Sequence, residues 1–157
     1  MNKDRYSIIF NSKTGNTRKL ADAIHEALPQ ENCDLFGAVE GDVPASETLY
    51  IGFWTDKGSA DKATAELLAK LKNRKIFLFG TAGFGGSEEY FTNILDNVKK
   101  LINESNTVVG EYSTAVRKGD SYVINGTKMF ITNASLASVF LVVATLDPSK
   151  GKACSGG

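Results

Sequence analysis

"YSIIFNSKTGNT", Tyr6 to Thr17, begins as a short apolar run and turns at once into small polar residues around a glycine. An apolar run followed by Asn, Ser, Thr and Gly reads as a strand and the loop that leaves it. Helical spacing starts where the loop ends. Leu20, Ala21, Ile24 and Leu28 recur on one face, and Pro29 closes the segment. The unit is strand, glycine-containing loop, helix, and the next hundred residues repeat its grammar.

"CDLFGA" (Cys33 to Ala38) is a weak second strand and "TLYIGF" (Thr48 to Phe53) a strong third, apolar on both faces as a buried parallel strand is. The segment between them, "VEGDVPAS", has no helical period, so one crossover helix is absent or reduced. Ala60, Ala63, Leu67 and Leu71 predict a second helix, "KIFLFG" (Lys75 to Gly80) a fourth strand, and Phe91, Ile94, Leu95, Val98, Leu101 and Ile102 a third helix. "NTVVGEY" supplies a fifth strand. Strands alternating with helices predict an α/β fold, a doubly wound five-stranded parallel sheet with right-handed crossovers.

Ligands of such sheets bind beyond the carboxyl ends of the strands, at a topological switch point. Three loops are expected there: Asn11 to Thr17, Trp54 to Ser59, and Thr81 to Ser87. In the first, backbone N–H groups and the hydroxyls of Ser12, Thr14 and Thr17 can converge on a phosphate at a helix N-terminus. The plainer reading is an N-capping loop, since capping favours the same residues. A Walker A loop is excluded because GxxxxGK[ST] is missing. In the second, Trp54 directly after a buried strand can stack on a flat conjugated ring, or be an ordinary core residue. The third, "TAGFGGSEEY", allows close backbone approach at its glycines, or merely turns the chain before a helix.

The run Ser12-Lys13-Thr14-Gly15-Asn16-Thr17 after a first strand resembles the FMN phosphate loop of the flavodoxin family, and the strand order agrees over about residues 6–112. The resemblance implies FMN as cofactor, with Ser12, Lys13, Thr14, Asn16 and Thr17 around its phosphate and Gly15 letting the backbone approach. It implies that Trp54 stacks on the ring. It also implies that Asp56, Lys57 and Gly58 form a flexible turn near the flavin N5 edge, that Gly83, Gly85 and Gly86 let backbone approach the pyrimidine edge with Phe84 covering the ring, and that Thr55 and Ala82 belong to the same cofactor-binding loops. The implied function is electron transfer between redox partner proteins. A small NAD(P)H-dependent flavin reductase and a non-redox module that retained the fold are the other readings.

After Tyr112 the chemistry changes. Lys118-Gly119-Asp120 signals a turn, Asn125-Gly126 suits a two-residue hairpin, and "SVFLVVATL" is a long apolar strand, where a doubly wound sheet calls for a last helix. Ala115, Arg117, Gly119, Asp120, Tyr122, Asn125, Gly126, Lys128, Phe130, Ile131, Thr132 and Asn133 resemble a stretch of the central β-domain of acyl-CoA dehydrogenases, which implies that Phe130 and Thr132 correspond to positions beside FAD in that family. The rest of such an enzyme is missing from the sequence. The expected organisation is a flavodoxin-like unit over residues 1–112, a β-rich extension over 113–151 and a mobile end over 152–157. Two readings of the extension are open: it covers the sheet face left without its helix, in the same chain or in a homodimer, or it is a poorly folded remnant of a gene fusion.

Eighteen basic against eighteen acidic residues give a formal net charge of zero, so no field advertises nucleic acid or an anionic membrane as partner. Two cysteines, Cys33 and Cys154, and one histidine, His25, lie in no metal-ligand spacing. No segment approaches about 20 apolar residues, so no membrane span and a cytoplasmic location are expected.

Overall fold

A computed structural model describes residues 5–38, 40–83, 88–116 and 122–123. In chain order the elements are β1 (Tyr6–Phe10), α1 (Asn16–Ala27), a 3-10 turn (Gln30–Asn32), β2 (Cys33–Ala38), β3 (Thr48–Asp56), β4 (Ser59–Ala60), α2 (Lys62–Lys70), β5 (Lys75–Ala82), α3 (Glu88–Lys99), β6 (Thr107–Val116) and β7 (Tyr122–Val123). Five strands pair in parallel in the order β2-β1-β3-β5-β6, the expected doubly wound sheet. The chain moves from β1 outward to β2, then returns past β1 to β3 and continues the other way. The switch point therefore lies between β1 and β3.

Helices α2 and α3 pack on one face, bringing Leu68, Ile94 and Val98 into one core with Ile51, Phe53, Ile76 and Leu78 of the sheet. Each such fully buried apolar side chain contributes about 1.5–3 kcal/mol relative to exposure. Helix α1 covers the other face through Ala21 and Ile24, against Ile8, Phe10 and Phe79. On that same face Tyr50, Phe77 and Tyr112 are only half-buried. After β6 the chain returns as β7, antiparallel to it through Ala115↔Val123 and Val116↔Tyr122. The Asn125-Gly126 turn, the 138–146 strand and the expected dimer contact fall outside the described residues.

Three phenylalanines lie directly opposite glycines on the neighbouring strand: Gly52↔Phe79, Phe53↔Gly80 and Phe77↔Gly110. In each pair the ring occupies the space of the missing side chain, for a Cβ on the glycine would lie 2.3–2.6 Å from the nearest ring carbon. Two large rings thus fit over β3 and β5 without separating the sheet from its helices.

The connection from β2 to β3 contains no helix among its described residues, as expected. Beside it is a cleft of about 170 Å³ lined by Ile9, Leu35, Val43 and Leu67 with Glu40 and Asp42. It belongs to the α2 side of β1 and β2, and none of the residues proposed for the phosphate loop or the ring wall lines it.

Two boundaries differ from the sequence reading. Strand β3 continues through Trp54, Thr55 and Asp56, and β5 through Thr81 and Ala82, each two or more residues beyond its apolar run. Pairing outlasts hydrophobicity there: Trp54 is still opposite Thr81, and Ala82 opposite Ala115.

Candidate functional site

Strand β1 delivers Asn11 to the switch point, where its N–H donates to Gly52 O at 3.0 Å. The 12–15 turn follows, and Gly15 takes φ 88°, a left-handed conformation that favours glycine, as the N-cap of α1. Gly15 offers no capping side chain, and the first turn of α1 contains no acid. Ser12 Oγ accepts the N–H of Arg18 at 3.2 Å, and Asn16 Nδ2 donates to Thr14 Oγ1 at 3.0 Å. Ser12 thus takes the third N–H of the 12-residue helix, while among the described residues no side chain caps the N–H groups of Asn16 and Thr17, the condition in which a helix start takes an anion.

Thr17 is turned the other way. It is fully buried, and its hydroxyl lies 2.9 Å from Thr81 Oγ1 and 3.4 Å from Phe53 O. The side chain ties the start of α1 to β3 and β5, while its N–H stays in the first turn.

The expected 54–59 loop is a hairpin. Thr55 pairs with Ala60 and Asp56 with Ser59, leaving Lys57-Gly58 as a two-residue turn with φ 49° and 79°. Positive φ at both central residues is the signature of the turn that matches strand twist, and Gly58 adopts it without strain. The hairpin tip is tied to α3, since Asn97 Nδ2 donates to Gly58 O at 2.9 Å. The turn the sequence reads as flexible is thereby held on two sides. Trp54 is half-buried, and Lys13 Nζ lies 4.7 Å from its ring centroid, a cation over an aromatic face. Loop 12–15 and the aromatic wall are therefore in contact. The Thr55 hydroxyl beside it is buried with no hydrogen-bond partner among the described residues.

At the third loop Thr81 and Ala82 are buried within β5 and Gly83 is exposed. Phe84 and Gly85 lie outside the described residues.

Asp61, which the sequence reading does not single out, lies between the ends of β1 and β3. It is 1% exposed, caps α2 by accepting from Thr64 N at 3.1 Å and Thr64 Oγ1 at 2.8 Å, and accepts a third bond from Asn11 Nδ2 at 2.7 Å. Its own N–H donates to Trp54 O at 3.1 Å. An Asp before a helical run is a legible cap. Its link to Asn11, fifty residues earlier, has no sequence signal.

Displaced pKa values lie at the opposite, amino-terminal end of the strands. Burial and the neighbouring Cys33 push the Tyr6 phenol up to about 12, and burial raises Tyr50. The bond from Arg5, then that from Ser46, holds the Asp34 carboxyl below the usual carboxylate range. Among the described residues no three His, Cys, Asp or Glu side chains are grouped to hold a metal ion, and no helix is long and apolar enough to cross a membrane.

Residues 7–133 match the family model of the flavodoxin domain. The chain is 42% identical over 118 residues to the flavodoxin-like domain-containing protein BilS of Clostridium symbiosum, a match covering 64% of this chain and 62% of that protein. It thus spans about three fifths of the length of that relative. A flavoprotein in complex with FMN from Lactobacillus acidophilus shares the fold, with a TM-score of 0.54 at 16% identity over 70% of this chain and 93% of that one. A C-terminal stretch is 65% identical over 37 residues to cyclohex-1-ene-1-carbonyl-CoA dehydrogenase of Geobacter metallireducens, 24% of this chain against 10% of that enzyme.

Proposed function

Because this chain belongs to the flavodoxin domain family, we propose that it binds FMN at the β1/β3 switch point and passes electrons between redox partner proteins. The observation that carries the reading is the contact between the two halves of the site. The acid-free start of α1, where the N–H groups of Asn16 and Thr17 have no capping side chain among the described residues, suits a phosphate. Lys13 from that loop reaches the Trp54 ring, so an anion subsite and an aromatic wall adjoin as FMN requires.

Ser12, Thr14 and Asn16, with the N–H groups that open α1, would hold the phosphate, and Lys13 would add charge to it. Trp54 would stack on the ring, and the Thr55 hydroxyl is a polar atom left for a ligand. The Lys57-Gly58 turn and Gly83 would border the ring, with the turn fixed by Asn97. When bound, FMN supplies one- and two-electron chemistry; the chain's own part is to bind it, orient it and set the charge around it.

The test is the visible absorbance of the purified protein, with mass identification of whatever denaturation releases. A two-band flavin spectrum and released FMN are expected. A colourless protein that takes up no added FMN overturns the reading. Release of FAD moves the cofactor assignment toward the C-terminal stretch.

A further inference from the structure

We infer that the cleft between α2 and the β2–β3 connection is a docking seat for a basic amphipathic helix of a partner protein, which lies where this fold omits a helix of its own. The inference goes beyond the flavin reading and does not rest on it, since none of the residues assigned to the flavin crevice lines the cleft.

A crossover between parallel strands ordinarily takes about a dozen residues or more and contains a helix that covers the sheet. The crossover from β2 over β1 to β3 has only positions 39–47, and residues 40–47 form no helix. Its share of the sheet face is therefore covered in part. Ile9 is buried there, yet Leu35, which pairs with Ser7 and so lies on the same face as Ile9, is 37% exposed. Among the described residues Val109 is the one other large apolar side chain left so exposed. Ile9, Leu35, Val43 and Leu67 line the cleft of about 170 Å³ that results. A cavity of about 150 Å³ takes up a benzene-sized group, so this one admits a leucine or phenylalanine side chain.

The form of the occupant follows from α2. Its lining residues Ala63, Glu66, Leu67 and Lys70 are spaced i, i+3, i+4 and i+7, one helical stripe turned toward the cleft. Such a stripe packs against a neighbouring helix, ridges into grooves, and beside it is the place a crossover helix would take. The charge of the occupant follows from the rim. Glu40, Asp42 and Glu66 stand against Lys70, three carboxylates to one ammonium in a chain whose formal net charge is zero. Lys62 lies 3.9 Å from Glu66, but an exposed pair of this kind is worth little and yields to a docked cation. The sequence after Tyr112 has alternating and continuous apolar runs and no helical period, so the helix comes from a partner protein. Its apolar stripe would seat a large side chain against Leu35 and Leu67, with lysine or arginine beside Glu40 and Asp42.

The experiment uses the full chain and a fluorescein-labelled synthetic peptide of leucine and lysine, about 18 residues or five turns long, with its leucines on one helical stripe. Fluorescence anisotropy gives the dissociation constant in about 0.05 M and about 0.5 M salt, and hydrogen exchange of the mixture locates the bound peptide. Binding is expected, with protection confined to residues 40–43 and α2, and with affinity falling as salt rises. The same peptide with glutamate for lysine is expected to bind at least about tenfold more weakly. Leu35→Ser, and the charge reversal Glu40→Lys with Asp42→Lys, are each expected to weaken the lysine peptide at least about tenfold. All three positions are exposed, so neither change threatens the fold. No binding, equal affinity for the glutamate peptide, protection elsewhere, or unchanged affinity in either variant overturns the inference. So does a concentration-dependent dimer in sedimentation that Leu35→Ser abolishes, because the occupant is then a second copy of this chain.

Discussion

Replacing Gly80 by alanine places one methyl group where the structure has no room for it. The added Cβ would lie 2.3, 2.5 and 2.8 Å from three ring carbons of Phe53, against the 3.4–4 Å of ordinary contact, so the ring has to retreat by more than 1 Å. Phe53 is fully buried beneath α2 and α3, which leaves it little space to enter. Overpacking of this kind costs typically about 1–3 kcal/mol, and an enclosed ring puts Gly80→Ala at the upper end. Gly110→Ala meets a ring as well, at 2.6 Å, but Phe77 is only half-buried and can swing outward, so about 1 kcal/mol or less is expected. Urea unfolding measures both, as a fall in midpoint at constant slope. Phe53→Leu removes the obstructing ring, so the double variant with Gly80→Ala should lose at least about 1 kcal/mol less than the sum of the single losses. Trp54, the single tryptophan, follows Phe53 and reports the displaced ring by its fluorescence. A Gly80→Ala loss below about 0.5 kcal/mol, or strict additivity in the double variant, would refute the account of ring-over-glycine packing.

Trp54→Ala should weaken FMN binding by the worth of an aromatic stack, about 1 kcal/mol or more, in a fluorescence titration; unchanged affinity removes Trp54 from the site. Thr17→Val leaves the Thr81 hydroxyl without its partner in a buried setting and should cost about 1–3 kcal/mol in urea unfolding. A variant as stable as the wild type, with a lost preference for FMN over riboflavin, would instead put the hydroxyl on the phosphate. Asp34 has a pKa depressed in the folded state by Arg5 and Ser46, so the stability it contributes is present above the ordinary carboxylate pKa of about 4 and is lost as pH falls through the folded value. Urea midpoints of wild type and Asp34→Asn should therefore differ at pH 7 and converge toward pH 3; a constant gap contradicts the linkage.

The sheet and its helices are legible in the sequence because burial dictates period. Tyr6–Phe10, Cys33–Ala38 and the stripe of Phe91, Ile94, Leu95 and Val98 lie where apolar spacing places them. Strand ends are harder to read, because β3 runs past its last core residue on backbone pairing, and pairing leaves no mark on Trp54, Thr55 or Asp56 beyond a β-prone tryptophan and threonine. Lys57-Gly58 carries a turn signal but not its restraint, since the bond from Asn97 joins residues thirty-nine positions apart. The phosphate loop is legible as a motif, while the direction of the Thr17 hydroxyl depends on Thr81, sixty-four residues later. Local chemistry reaches the surface of the site, and long-range hydrogen bonds, which sequence spacing does not encode, build its floor.

That floor also bears on whether an altered C-terminus disturbs the site. Among the described residues, the bonds that frame the crevice join positions between Asn11 and Asn97: Asn11 to Gly52 and Asp61, Thr17 to Thr81, Asp61 to Trp54, and Gly58 to Asn97. Among the described residues, those after Asn97 reach it along the edge of β5. Thr81 pairs with Thr114 and Ala82 with Ala115, on the part of β6 that continues past Tyr112. Strand pairing is a backbone interaction and tolerates a change of side chains provided the register holds. Sequence change beyond Tyr112 can therefore keep the carboxyl end of β5 in place, and with it Thr81 beneath Thr17. A proline at Thr114 or Ala115, which removes a backbone donor, would act on the site more strongly than any side-chain exchange there.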